Sequence, residues 1–587
     1  MSKDQSSVLT TWRFPKRVAY VVNHSLPYSS DGYAVRTHEI AKALGGFGHD
    51  VLVINRPGRP WNIEGFPKST QVAPSQTIDG VRYVFLPLQT ARAPTLRGAL
   101  RQAEKTLLDA FEIFRPGAVI AASNWENAEP ALYAARRWGA AFFYEQRGFW
   151  ELSQAEKEPG YAQSLAFSQV RDIELRISKD AKAVFTLNTA MRDELVRRGV
   201  PKEKILLVPN GVSKSAPVTV QVTRHTLGCK AKYLLGYVGS LSPYEGEDDL
   251  IEVLGRLRAQ GVDVDLLVVG SNAPKGLVVS DHIAPPENSL ARKIEKAGLV
   301  DHVHLTGQVP RDCVGAYYAL LDAVVMPRKR VAVTQLVAPL KPYAAASCGV
   351  PVFMPDMAPL DDVAKDIHAS LYPEGDLAAL TAMLRDTLEN GGHPAVLNPL
   401  PQHVFWHRRV QPMSQALRAV AQETPAPDTG FRAPPQGRDM DAVTQAGPRY
   451  NIQKLPHVAL RKRSDQVLVA AIGPCAHLPL DTQITQLTRV NILSELATQI
   501  PVGRFMIDWR GLESDPKGWP KDWDGLWSTD NMRLNRLMMD ACAIALDRGW
   551  QIQIIGPVAR SRAPLFRTVA QAFEEIILHP DMAEGTL

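Results

Sequence analysis

The 587-residue sequence predicts an α/β protein built from consecutive doubly wound domains, and three observations carry that expectation. Short apolar runs of strand length alternate with helical segments, the pattern of a mainly parallel sheet covered on both faces. The alternation restarts near residue 206 and again beyond residue 450. A Pro- and Gly-rich stretch without periodicity, residues 424–449, stands before the last series and reads as a linker. At roughly 100–200 residues per domain the chain has room for three or four such units.

The elements follow in order. RVAYVVNH (17–24) reads as a buried strand, SLPYSSDGY as a loop, AVRTHEIAKAL as a helix and HDVLVINRP as the next strand. GVRYVFLPL, PGAVIAAS, AAFFYEQRG and DAKAVFTLN continue the series. In the second unit YLLGYVGS is a strand and EDDLIEVLGRLRAQG a helix with Leu250, Leu254 and Leu257 on one stripe. VDLLVVGS, HVHLTG, DAVVMP and VPVFMP are four more strands. The third unit has DQVLVAAIGP, RFMIDWRG and WQIQIIGP as strands, with helices in NILSELATQ, MRLNRLMMDACAIALDRG and LFRTVAQAFEEII. Doubly wound sheets bind ligands beyond the carboxyl ends of their strands, so two facing domains enclose a cleft.

Composition narrows the classes. A hydrophobic content of 45% and a charged content of 22% are ordinary for a soluble globular chain. The net charge of +5 admits an anionic ligand or membrane surface but does not argue for nucleic acid. Five scattered cysteines with no C-x-x-C pair favour reduced thiols in a cytosolic protein. The start, MSKDQSSVLTTWRFPKR, has no apolar core of a signal peptide. No apolar run approaches the ~18–20 residues that span a bilayer, so membrane contact is expected to be peripheral.

Three segments carry chemistry. In SSDGY (29–33), Gly32 lets backbone approach a ligand at the start of a helix, or serves only a tight turn. VPNGV (208–212) ends a strand with an Asn-Gly turn, between the two alternating series. The window from Ala323 to Pro355 holds Arg328, Lys329, Arg330 and Lys341 without one Asp or Glu. Cations at the carboxyl edge of a sheet, before a helix that opens at Lys341-Pro342, suit a diphosphate. A solvated basic loop is the plainer alternative. DWDG (522–525), among Trp509, Trp519, Trp523 and Trp527, reads as an aromatic-anchored loop ahead of a sugar platform or metal motif, and His24 as a hydrogen-bonded loop residue at a strand's end.

These segments, with ALGGFGHDV (43–51), GYVGSLSPYEGEDDLI (236–251), VHLTGQVPRDCVGAYYALLDAVVMP (303–327) and PLKPYAAASCGVPVF (339–353), resemble the retaining glycosyltransferases of family 4. The resemblance covers about residues 15–423. It implies the GT-B fold: a Rossmann-like acceptor domain over 15–205, a Rossmann-like nucleotide-sugar donor domain over 206–402, and a helix in 403–423 that returns to the first. A smaller α/β domain, 450–587, is additional. The implied activity is transfer of a sugar from a nucleotide-sugar to a glycan or lipid-linked acceptor with retention. FYEQRGFWELS (143–153) looks like the cleft segment of members that build surface polysaccharides, at the cytoplasmic face of a membrane.

Carried over residue by residue, Gly32, Gly239 and Ser240 would approach the donor, Arg328, Arg330 and Lys341 would neutralise its diphosphate, and Glu145 and Arg147 would face the reacting centre. No metal or other cofactor is then required. The family's Glu-x7-Glu pair falls on Leu336 and Ala344, and Ser240 and Glu245 stand near the place of its usual basic pair. Losing one buried charge-assisted hydrogen bond costs on the order of 1.5–3 kcal/mol. The departures keep open a second reading, a non-catalytic GT-B module that binds a partner enzyme or a glycan, and a third, a nucleotide-sugar epimerase.

Overall fold

Both parities of the first strand are apolar, and the fold uses both. In β1 (Phe14–Val22) Ala19 and Val21 enter one core while Val18, Tyr20 and Val22 enter another on the opposite face. A strand buried on both sides reads as a continuous apolar run, the mark of a covered parallel sheet. The computed structural model describes residues 13–88, 95–213, 222–271, 277–278, 289–391, 397, 399–423, 469–472, 484–498 and 503–508. It also describes shorter pieces at 523, 537–538, 541–542, 544–545, 548, 550–555 and 577–578.

After β1 come β2 (Asp50–Asn55), β3 (Ser75–Ile78), β4 (Val81–Val84), β5 (Pro116–Ala122), β6 (Ala141–Gln146), β7 (Val184–Thr186) and β8 (Ile205–Leu207). They form one sheet in the order β3-β4-β2-β1-β5-β6-β7-β8, in which β3 runs antiparallel to β4 and the other pairs are parallel. The second sheet joins β9 (Tyr233–Val238), β10 (Val264–Val269), β11 (Val303–Gly307), β12 (Ala323–Val325), β13 (Val352–Pro355) and β14 (Ser370–Tyr372) in the order β11-β10-β9-β12-β13-β14, all parallel. Its two faces again carry separate cores, Leu234 and Val238 on one, Leu235 and Tyr237 on the other. The strands β3 and β14 are additions to the sequence reading, whereas β8 is the strand that VPNGV ends. Each has three or four residues, too few to show a period.

The chain crosses between the domains twice, side by side. Val212 N–H donates to Val404 O at 2.9 Å, and Trp406 N–H donates to Val212 O at 3.1 Å. A Cβ on Gly211 would lie 2.9 Å from Val404 O, so the glycine of VPNGV admits the returning strand. The helix Gln411–Glu423 then lies on the first domain, with Met413, Leu417 and Val420 in the same core as Val18 and Tyr20. Arg418 donates to Phe47 O at 2.9 Å, which pins the helix beside the turn after Gly46.

A third, five-stranded parallel sheet has the order β16-β15-β17-β18-β19. Its strands are β15 (Val469–Ile472), β16 (Ile484–Gln486), β17 (Arg504–Asp508), β18 (Gln551–Ile555) and β19 (Ile577–Leu578). Trp523 is fully buried and its Nε1–H donates to Leu487 O at 2.9 Å, an anchor rather than a stacking platform. The linker 424–449, both acids of DWDG and most of the last two predicted helices lie outside the described residues. Among the described residues no helix is long and apolar enough to cross a membrane.

Candidate active site

The loop after β1 is braced by its own residues. Asp31 caps the helix Gly32–Gly46, accepting from Ala34 N–H at 3.0 Å, and its other oxygen lies 2.9 Å from His24 Nε2. The imidazole stacks on Tyr33 with ring centroids 4.5 Å apart. A Cβ on Gly32 would meet nothing within 4 Å, so the glycine leaves open space at the cleft instead of relieving a clash.

Glu145 and Arg147 follow from the end of β6, and here the structure revises the expectation. Glu145 is fully enclosed and does not line the cleft. Its carboxylate accepts from Arg36 Nε at 2.8 Å, from Arg147 Nη2 at 2.8 Å and from the Tyr20 hydroxyl. Burial would raise its pKa, but the guanidinium groups of Arg147 and Arg36 outweigh burial and hold it down to about 2. Arg147 does line the cleft, yet its guanidinium is committed to Glu145, to Tyr33 O at 2.8 Å and to Thr37 Oγ1 at 2.9 Å. Arg36 reaches further, donating to Val208 O at 2.8 Å and to Asn210 Oδ1 at 2.9 Å. Asn210 in turn donates to Ala338 O across the domain boundary at 3.1 Å, which gives VPNGV a joining role.

On the facing side, β9 and β10 bring glycines to their carboxyl ends. A Cβ on Gly270 (φ +140°) would lie 1.9 Å from Gly239 O, and one on Gly239 (φ +150°) would lie 2.1 Å from Lys341 Cε. The lysine stem therefore lies on Gly239, and both positions need glycine. Lys341 Nζ donates to Tyr237 Oη at 2.6 Å and to Glu245 Oε2 at 2.9 Å. The Ser240 carbonyl accepts from Tyr237 Oη at 2.7 Å. Arg328, 5% exposed, donates to Val337 O at 2.7 Å and pairs with Glu245 at 3.3 Å. Burial pushes the Glu245 carboxyl up, but Arg328 and Lys341 outweigh it and hold it below its ordinary value.

The acid-free window is thus not free of acids in space. Lys329 pairs with Asp248 and Asp249, Arg330 with Glu374, and Arg328 and Lys341 with Glu245. Arg330 is turned away, 57% exposed and outside the cleft lining. The helix at Lys341 runs only to Ser347. Ala344 lines the cleft, whereas Leu336 packs on the first-domain core and its carbonyl accepts from Asn188 Nδ2 at 2.9 Å.

The cleft between the domains has a volume of about 600 Å³ and brings Gly32, Arg147, Gly239, Ser240, Arg328, Lys341 and Ala344 to one space. A neighbouring hollow of about 530 Å³ opens on the first-domain side over His24, Asn124, Arg147 and Trp150. The two domains are held together at its rim. Arg311 donates to Glu39 at 2.7 Å and Gln308 Nε2 to Ser30 Oγ at 2.9 Å. Sequence reasoning missed Arg36, Asp31 and Tyr237 as parts of this frame. Asp31 had a local signal, since Asp three residues before a backbone N–H is a helix cap.

Family models match the two domains in turn. Residues 31–211 match the family described as "Glycosyl transferase 4-like domain", and residues 225–399 match "Glycosyl transferases group 1". A 2-deoxystreptamine N-acetyl-D-glucosaminyltransferase of Streptomyces fradiae is 27% identical over 215 residues, 35% of this chain and 47% of the relative, so the chain spans about half of that protein's length. Glycogen synthase of Mycobacterium tuberculosis is 23% identical over 400 residues, 65% of this chain and 86% of the relative. Among solved structures, sucrose-phosphate synthase from Thermosynechococcus elongatus aligns with a TM-score of 0.49 at 16% identity, over 70% of this chain and 94% of its own. Two consecutive family matches laid over two facing doubly wound sheets lead to one conclusion: the chain belongs to the family-4-like glycosyltransferases of GT-B fold.

Proposed function

We propose that the cleft takes a nucleotide-sugar on its second-domain side and transfers the sugar, with retention, to a glycan or lipid-linked acceptor on the first-domain side. Work on surface polysaccharide at the cytoplasmic face of a membrane is part of this reading. The observation that carries it is the meeting of Arg328 and Lys341 with Gly239 and Ser240 at the carboxyl ends of β9 and β12, opposite the open space at Gly32. When the bond between the anomeric carbon and the diphosphate breaks, negative charge develops on the leaving phosphate oxygens. Cations held in a partly buried cleft stabilise that charge without reorganising. Gly270 lets the two loops pack together and Gly239 lets the Lys341 stem lie across the floor of the cleft, and His24, braced by Asp31, borders the space left for the acceptor. Relatives that include an N-acetyl-D-glucosaminyltransferase and a GDP-mannose-dependent mannosyltransferase support the reaction class.

A thermal-shift panel of UDP-, GDP-, ADP- and dTDP-sugars tests the reading. A ligand at 100 times its Kd stabilises the folded state by roughly 2.7 kcal/mol. One nucleotide should raise Tm in the wild type and lose that effect in Lys341→Ala, and sugar transfer should follow the same nucleotide. A flat panel for every nucleotide, with no transfer, overturns it. Ala344 and the pairing of both cations with Glu245 favour the second reading, a non-catalytic module, and binding of a glycan without any nucleotide effect would decide for it.

A further inference from the structure

Arg328 and Lys341 end on the same carboxylate, and its mounting is rigid. Glu245 closes the short turn Pro243–Glu245, and the next residue, Gly246, has φ +74°. A Cβ there would fall 1.8 Å from Pro327 O, so the turn is pressed against the backbone that leads into Arg328. The Tyr244 carbonyl accepts from Lys329 N–H at 3.0 Å, a second tie between the same two segments. Glu245 Oε1 faces Arg328 at 3.3 Å and Oε2 faces Lys341 Nζ at 2.9 Å, and all three residues line the cleft.

The arrangement is not fully satisfied. Arg328 is 5% exposed, and its Nε is buried with no hydrogen-bond partner. A buried guanidinium left with an unused donor is costly, so the Glu245 carboxylate and the Val337 carbonyl do not satisfy Arg328 in full. Neighbouring cations cannot make up the charge, since Lys329 and Arg330 already face Asp248, Asp249 and Glu374.

We propose that Glu245 is a resident competitor for the donor's diphosphate: it occupies Arg328 and Lys341 in the empty cleft, and the anion binds only by taking both cations over from it. Donor affinity is then set by this exchange, and a carboxylate left beside the phosphate oxygens opposes binding. This rests on the reading of the cleft as a nucleotide-sugar site and goes beyond it, because it assigns a residue that weakens binding.

The experiment compares the full chain with Glu245→Gln, using UDP, GDP, ADP, dTDP and inorganic pyrophosphate in calorimetric titrations, with thermal denaturation as the check of folding. Glu245→Gln keeps the size of the side chain and frees both cations. At least ~10-fold tighter binding of pyrophosphate and of one nucleoside diphosphate is expected. Tighter pyrophosphate with no nucleotide bound by either protein sinks the nucleotide-sugar reading and overturns the proposal for a donor with it, leaving Glu245 as a competitor for a free anion only. Equal or weaker nucleotide binding in Glu245→Gln overturns the proposal and leaves that reading standing. No binding of any probe to either protein removes both. Should Glu245→Gln fail to fold, Glu245→Asp draws the charge back by one methylene: tighter binding than wild type supports the proposal, and equal or weaker binding overturns it.

Discussion

Each wall of the cleft contains one carboxylate between two cations, and the two knots behave differently. In the first domain Glu145 sits behind the surface at 0% exposure, between Arg36 and Arg147, with the Tyr20 hydroxyl as a further donor. Both guanidinium groups also bind backbone carbonyls, and neither arginine has a side-chain nitrogen left buried and unpartnered. In the second domain Glu245 lines the cleft itself, and Arg328 Nε is without a partner. The same three charges therefore make a frame on one side and an exchangeable site on the other. What distinguishes them is whether every donor is satisfied and whether the acid meets the cleft, not the residue types.

The comparison breaks first at Glu145. Glu145→Gln leaves Arg36 and Arg147 without the shared counter-charge enclosed behind the cleft wall, and removing one member of a buried pair costs roughly 3–5 kcal/mol. Urea unfolding should show that loss at pH 7. The wild-type contribution has a defined pH window. Glu145 titrates at about 2 in the folded chain, below its ordinary value, so its contribution is present above the ordinary carboxylate range and is lost as pH falls toward 2. A loss under ~1 kcal/mol would mean that the first-domain knot is not the frame described.

Much of this was legible in the sequence, and what was not shares one cause. The fully apolar β1 declared a sheet buried on both faces, and the alternation of strand and helix placed the cleft beyond the carboxyl ends. The charge balance of that cleft was not legible, because partners come from distant loops. Lys341 and Glu245 are 96 residues apart, and Arg311 and Glu39 are 272 apart. Counting charges within 323–355 returned four unpaired cations, although each has an acid supplied from 245–249 or from residue 374. The resemblance sets Glu145 and Arg147, two residues apart, facing the reaction together, yet only the arginine reaches the cleft.

A third carboxylate sharpens the contrast. Glu174 is buried like Glu145 but has no pair of arginines hydrogen-bonded to it. It accepts from Trp125 N–H at 2.7 Å and from the Tyr144 hydroxyl. Burial, helped by the nearby Glu151 carboxylate, pushes its pKa up to about 7. The sign is opposite to that of Glu145. The folded chain binds this proton more tightly than the unfolded one, so the stabilisation is complete below the ordinary carboxylate range and is lost as pH rises to about 7. Glu174→Gln should flatten the fall in Tm between pH 5 and pH 7.5, an effect on the order of 1–3 kcal/mol. An unchanged slope would show that burial alone does not set the proton affinity here.

The smallest expected effect tests the boundary of the site. Arg330 belongs to the same basic segment as Arg328, two residues away, but it is 57% exposed and pairs with Glu374 instead of with an acid in the cleft. An exposed ion pair contributes roughly 0–1 kcal/mol, because water screens it and two long side chains must be held still. Arg330→Ala should therefore leave Tm within about a degree or two and leave nucleotide affinity unchanged, while Lys341→Ala, whose ammonium is held over Gly239, abolishes the nucleotide effect. A ten-fold loss of binding in Arg330→Ala would mean that this loop swings inward when the donor enters. The exchange would then involve three cations, with Glu374 as a second acid that has to be displaced.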